Sequence, residues 1–194
     1  IGYYLDELII NPQENIDKFF QNAQKNISLK SALLGTKEME TIKESIAEQH
    51  LPNIKNLVEQ QQHKNYHTWI EPTFFSQEYG LQGRLDLLNI DKDTEIKNIL
   101  ELKSGKPTNP NYKNYKTAWR NHEMQVVAYN MMLESTYNPE EIGLNTVYYS
   151  KCQIIPERNI ISEFREKNQL LKIRNEIVSK FFQISDRIYA TFER

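Results

Sequence analysis

GLQGRLDLLN (residues 80–89), NILELKSGK (98–106) and HEMQVVAYN (122–130) decide how this chain folds. The first two are apolar runs, and turn formers follow each: Asp91-Lys-Asp-Thr94, then Ser104-Gly-Lys-Pro-Thr-Asn-Pro-Asn111. That pattern predicts a strand over 81–90, a second over 96–102 and a loop beyond. The third stretch lies in an amphipathic helix over 119–133, after which Thr-Val-Tyr-Tyr within 145–150 reads as another strand. Strand, strand, helix, strand predicts an α/β domain.

Working outward, Trp69, Ile70, Phe74, Phe75 and Tyr79 form a strand-like run ahead of 81–90, so three successive runs suggest an antiparallel meander. Residues 153–155 are a candidate fifth strand. The region 1–62 reads as helical. Tyr4, Leu5, Leu8 and Ile9 make one apolar stripe, and Ile16, Phe19, Phe20 and Ala23 make a second. A longer helix over 36–61 carries Ile42, Ile46, Leu51, Ile54 and Leu57, with a kink expected at Pro52. The last helix, 161–192, spaces Leu170, Ile173, Ile177, Phe181, Ile184, Ile188 and Phe192 by threes and fours, as a buried stripe should. No repeat or linker interrupts the chain, so one domain over 1–194 is expected, in three parts: 1–62, 68–155 and 161–192.

With 194 residues, 39% hydrophobic and 26% charged, the chain suits one globular domain and contains no membrane-length apolar run. Its start lacks a basic leader and an initiator methionine, from which we expect a piece of a longer protein. The single cysteine, Cys152, excludes an internal disulfide and a cysteine-ligated zinc or iron–sulfur site, and fits an intracellular setting. A net charge of −2 gives no global basic field, so any contact with nucleic acid must use a local patch.

Asp86 lies inside Leu85-Asp-Leu-Leu88, where a carboxylate is costly to bury without a partner. Glu101 follows with fourteen residues between them, and a hairpin can bring both acids to one face. Two carboxylates are the minimum that holds Mg²⁺ or Mn²⁺, with water and substrate oxygens completing the shell. Lys103 is two residues on, so it points the same way as Glu101 while Leu100 and Leu102 point to the core. There it could orient or deprotonate a water, or stabilise developing negative charge. The Leu102 carbonyl is a further candidate ligand. Gln125 and Tyr129, four apart, share a helix face and can brace the lysine or bind a strand. Lys106, Lys113, Lys116 and Arg120 interleave with Tyr112, Tyr115 and Trp119, a combination suited to single-stranded nucleic acid. Taken singly, these features read as solvated strand and helix surface. Their joint order points to metal-dependent phosphodiester hydrolysis.

These residues resemble the PD-(D/E)XK nuclease superfamily and its RecB-like branch. They are most similar to the nuclease domain of the eukaryotic-type replication and repair helicase–nuclease. The resemblance is carried by Tyr79–Asp86, Ile99–Lys106 and His122–Tyr129, continues more weakly through Thr146–Tyr149 and Leu171–Asn175, and covers roughly 68–185. It implies a restriction-endonuclease-like core, a central mixed sheet flanked by helices, with a helical N-terminal part and a long C-terminal helix. It further implies Asp86 and Glu101 as metal ligands, Lys103 as the catalytic lysine, and Gln125 and Tyr129 as the supporting pair. The substrate implied is single-stranded or flapped DNA, with a helicase as partner and no membrane.

Two departures stand out. The four-cysteine iron–sulfur cluster of those relatives cannot form here. The branch's early metal-binding histidine is also missing: Gly2-Tyr-Tyr-Leu-Asp-Glu7 resembles its helix without it, and no histidine precedes His50. His50, His63 and His67 have polar neighbours and read as surface residues. Glu71 and Glu78 lie near the second strand and could touch the metal shell, but read more simply as solubilising strand-edge acids. The alternatives are a nuclease-like module without activity that grips DNA or a helicase, and an unrelated α/β domain with a coincidental motif.

Overall fold

The computed structural model describes residues 35–192, with Ile9, Asn15, Asp17, Lys18, Phe20, Gln21 and Lys25 before them. The two early stripes and the 2–7 segment fall outside the described residues except for Ile9 and Phe20, which pack on the lower of two cores.

Helix α1 (Thr36–Ser45) starts where the Glu38 carboxylate reaches back to the Gly35 N–H at 2.6 Å. A single π turn (Ile46–His50) joins it to α2 (Leu51–Gln62). Pro52 therefore occupies the first turn of α2, where its missing N–H costs nothing, and the irregularity lies just before it. Four strands follow: β1 (Tyr66–Ile70), β2 (Thr73–Ser76), β3 (Leu81–Arg84) and β4 (Leu87–Asp91). The expected strand over 81–90 is thus two strands broken at Leu85-Asp86. Apolar residues run through the break because Leu85, Leu87 and Leu88 are all buried, so the sequence pattern hides it.

Strand β5 (Lys97–Lys103) leads through a loop to α3 (Arg120–Glu134), then β6 (Ile142–Tyr149), β7 (Glu157–Ile160) and α4 (Phe164–Phe192). Residues 153–155 are not a strand. The last strand forms at Glu157–Ile160 instead, after Pro156, where the chain pairs antiparallel with β6. The main sheet runs β1-β4-β5-β6-β7, with β5 and β6 parallel across the α3 crossover and the other pairs antiparallel. Strands β2 and β3 form a separate hairpin, so the expected meander is real for β1, β4 and β5 but has this hairpin inserted in it.

The sheet is covered on both sides, the arrangement expected of an α/β core. On one, Leu88, Ile99, Val147 and Tyr149 pack against Val126, Val127 and Tyr129 of α3. On the other, Leu87, Leu100, Leu102 and Tyr148 pack against Ile46, Ile54 and Leu57. Among its described side chains, the stripe of α4 is buried only at its start. Leu170 and Leu171 pack on the upper core, whereas Ile177, Phe181 and Ile184 are more than half exposed. Twenty-nine residues make a helix of about 43 Å. That is longer than the face of α3 it rests on, so its second half runs past the domain. No described helix is long and apolar enough to cross a membrane.

Candidate active site

The β4–β5 ladder pairs Leu87 with Leu100, so Asp86 lies one step beyond it, opposite Glu101. At the break the Asp86 carboxylate leaves the strand line and accepts the Leu102 N–H at 2.6 Å. Glu101 follows the alternation of β5 onto the α3 side and is 2% exposed. Its Oε1 accepts from Lys103 Nζ and from Gln125 Nε2, each at 2.7 Å. Lys103 Nζ also donates to Gln125 Oε1 at 2.9 Å. Gln125 Nε2 meets the Tyr129 hydroxyl at 2.7 Å, and that hydroxyl donates to the Arg84 carbonyl at 2.8 Å. Glu101, Lys103, Gln125 and Tyr129, all singled out in the sequence, therefore form one hydrogen-bonded cluster, with Asp86 beside it.

The remaining Glu101 oxygen, Oε2, is buried with no hydrogen-bond partner. Burial, then the charge of Asp86, raises the Glu101 pKa to about 7, against the pull of Lys103. Asp86 is raised as well, chiefly by burial, with the Leu102 N–H and Lys103 opposing. Two acids that disfavour each other's charge, one with an orphaned oxygen, form a donor set whose cost a divalent cation would relieve. Among the described residues no group of three His, Cys, Asp or Glu side chains is placed to hold a metal. The donor set is thus two carboxylates, to which the Leu102 carbonyl is a candidate addition.

The other expected residues are distributed as follows. Trp119, at the start of α3, is half exposed, and its indole N–H donates to the Lys106 carbonyl at 2.8 Å. Lys113 pairs with Glu157 at 2.9 Å. Arg120 binds Glu123 at 2.8 Å and Gln169 at 2.5 Å, so its charge is already engaged. Lys116 lies in a short 3-10 turn, Tyr115–Thr117. His63 and His67 are exposed.

His50 is not a surface residue. It is fully buried, turned inward by the π turn, and its Nδ1 lies 2.8 Å from Ser150 Oγ. The Ser150 hydroxyl donates to the Lys103 carbonyl at 3.0 Å, so His50 carries its proton on Nδ1 and donates it to Ser150.

Sequence reasoning gave no role to Arg84 or His122 and read Glu71 as a strand-edge acid. Arg84 pairs with Glu71 at 3.0 Å, and the Glu71 N–H binds the Asp86 carbonyl at 2.9 Å. Glu71 adopts φ 51°, a left-handed conformation that costs a non-glycine residue about 1–2 kcal/mol. His122, one turn before Gln125, bonds the Tyr149 hydroxyl at 3.0 Å. Its place at i−3 from Gln125 was the available signal; the Arg84–Glu71 pair had none.

An α/β core with paired acids, a lysine and a Gln/Tyr helix at one strand end defines the class. The sequence matches the PD-(D/E)XK nuclease superfamily over residues 4–192, and the chain belongs to that superfamily. No curated protein shows significant similarity to it. Membership implies a nucleic-acid substrate, and the superfamily typically uses divalent metals, which the donor set at Asp86 and Glu101 fits.

Proposed function

We propose that this chain is a divalent-metal-dependent deoxyribonuclease of the RecB-like branch, hydrolysing phosphodiester bonds in single-stranded or flapped DNA and working with a helicase. The observation that carries the reading is Glu101, with one oxygen fixed by Lys103 and Gln125 and the other buried and unpartnered beside Asp86. A bound Mg²⁺ or Mn²⁺ supplies charge neutralisation at the phosphoryl group and a more acidic attacking water.

The chain's own residues do the rest. Leu102 N–H fixes the orientation of Asp86. Glu101 and Gln125 hold the Lys103 ammonium at the site, where it orients the water or stabilises negative charge as it develops. Tyr129 ties α3 to the end of β3 through Arg84 and so keeps the helix at a fixed distance from the acids. Lys106 and the half-exposed Trp119 ring, held together, offer a cation for phosphate and a face for a base. Lys113, Lys116 and Arg120 would act further along the strand.

A second reading, a nuclease-like module without activity, is favoured by one observation. His50, the first histidine of the chain, is committed to Ser150, and no histidine joins the two acids. Incubation with labelled single-stranded, duplex and flapped DNA, with Mn²⁺ or EDTA, separates the two. Asp86→Ala, Glu101→Ala and Lys103→Ala should each lower cutting by about 10²–10³-fold or more, with DNA binding within a few-fold of wild type. Wild-type-like cutting by all three variants removes the proposal. DNA binding by the wild type without cutting establishes the second reading.

A further inference from the structure

We infer that a pocket beside the candidate active site, walled by Lys106 and Lys151, holds a backbone phosphate of the nucleic-acid strand. The inference rests on the nuclease reading and deepens it. The cavity measures about 370 Å³, and Gln49, Gln153, Pro110 and Cys152 also line it. No acid lines it, and neither lysine is in an ion pair among the described residues. Both lysines reach solvent, so an entering anion meets their ammonium groups at the rim.

A third cation lies behind the pocket. Arg158 is fully buried, yet its guanidinium donates only to carbonyls, those of Asn109 and Ile155 at 2.6 Å and Glu157 at 2.7 Å. Among the described residues no carboxylate pairs with it, since Glu157 is engaged with Lys113. Arg158 shares the Ile155 carbonyl with the Cys152 thiol and holds Asn109, the residue before Pro110, so its charge backs the pocket floor. A buried cation without counter-charge is costly and projects a positive potential through the low-dielectric interior. An anion seated against Lys106 and Lys151 would offset it, with the Gln49 and Gln153 amides available as neutral donors.

The pocket also lies where a strand must pass. Lys151 follows Ser150, whose N–H and hydroxyl both bond the Lys103 carbonyl, at 2.9 and 3.0 Å. Lys106 is three residues beyond Lys103, which limits their Cα separation to about 11 Å. A phosphate held there belongs to the same short stretch of strand as the one at Asp86 and Glu101. The Trp119 indole fixes the Lys106 carbonyl and leaves its ring beside the lysine for a base.

The test is fluorescence anisotropy with a labelled oligothymidylate in Ca²⁺ over a salt series, paired with Mn²⁺ cleavage kinetics. The proteins are wild type, Lys106→Ala, Lys151→Ala, the double variant and Lys151→Glu, with Lys64→Ala as a distant control. Unchanged melting temperatures verify folding. The double variant should bind about 10-fold more weakly, with a salt slope shallower by about 0.7, one single-strand phosphate. In cleavage, KM should rise while kcat stays within about two-fold. If the wild type binds and cuts DNA but the double variant matches it in affinity and slope, the pocket assignment falls and the nuclease reading stands. If the double variant weakens binding by a wild type that does not cut, the pocket stands and the catalytic reading falls. A wild type that binds no DNA overturns both.

Discussion

Gln125 joins three side chains of the candidate site at once: its amide NH₂ reaches Glu101 and the Tyr129 hydroxyl, and its carbonyl takes the Lys103 ammonium. These residues were legible in the sequence because their geometry is local. Two-residue spacing on a strand and four-residue spacing on a helix place side chains on one face whatever the rest of the fold does. Gly83 was not legible, because its role is a close approach between distant elements. A Cβ there would lie 2.8 Å from the Tyr129 ring and from the Met132 methyl. The thioether can swing aside, but the Tyr129 ring is held by its bond to the Arg84 carbonyl. Gly83→Ala should therefore destabilise the protein by ~1–3 kcal/mol. Thermal melts measure this, and an unchanged melting temperature would show that Tyr129 is not fixed there.

The elements that sequence periodicity misplaced are those where a backbone irregularity does the positioning. The break between β3 and β4 frees Asp86 to reach Leu102, yet its neighbours are apolar and buried, so alternation continues through it. Strand β7 escaped notice because one of its two buried residues is Arg158, which leaves Ile160 alone to mark a buried face. The π turn ahead of Pro52 likewise leaves no periodic trace, although it turns His50 into the interior. Burial, with Lys151 nearby, lowers the His50 pKa to about 4 from an ordinary 6.5. The unfolded chain thus takes up a proton at this residue while the folded one resists. The His50 contribution to stability is complete above pH 6.5 and declines as pH falls toward about 4. Melts of wild type and His50→Gln from pH 8 to pH 4 should converge on acidification, because only the wild type carries this loss. Parallel curves would show that His50 is not held neutral.

At the scale of the molecule, the sheet order β1-β4-β5-β6-β7 puts Glu101 on the central strand β5 and Asp86 just ahead of its neighbour β4, between two cores. The α/β class was legible from element order, since a strand–helix–strand unit implies a parallel pair with a crossover. The inserted hairpin and the overhang of α4 were not, because both depend on how far each element extends past its neighbours. The architecture places Asp86 and Glu101 side by side, which raises the Glu101 pKa to about 7 and leaves one of its oxygens unsatisfied. Everything proposed for the site follows from a cation relieving that arrangement. Titration of Mn²⁺ followed by electron paramagnetic resonance of the free ion tests this most directly, on wild type and Glu101→Gln at pH 8. The account predicts Mn²⁺ binding to the wild type that weakens about 100-fold in the variant. Equal binding by both proteins, or none by the wild type, would contradict it.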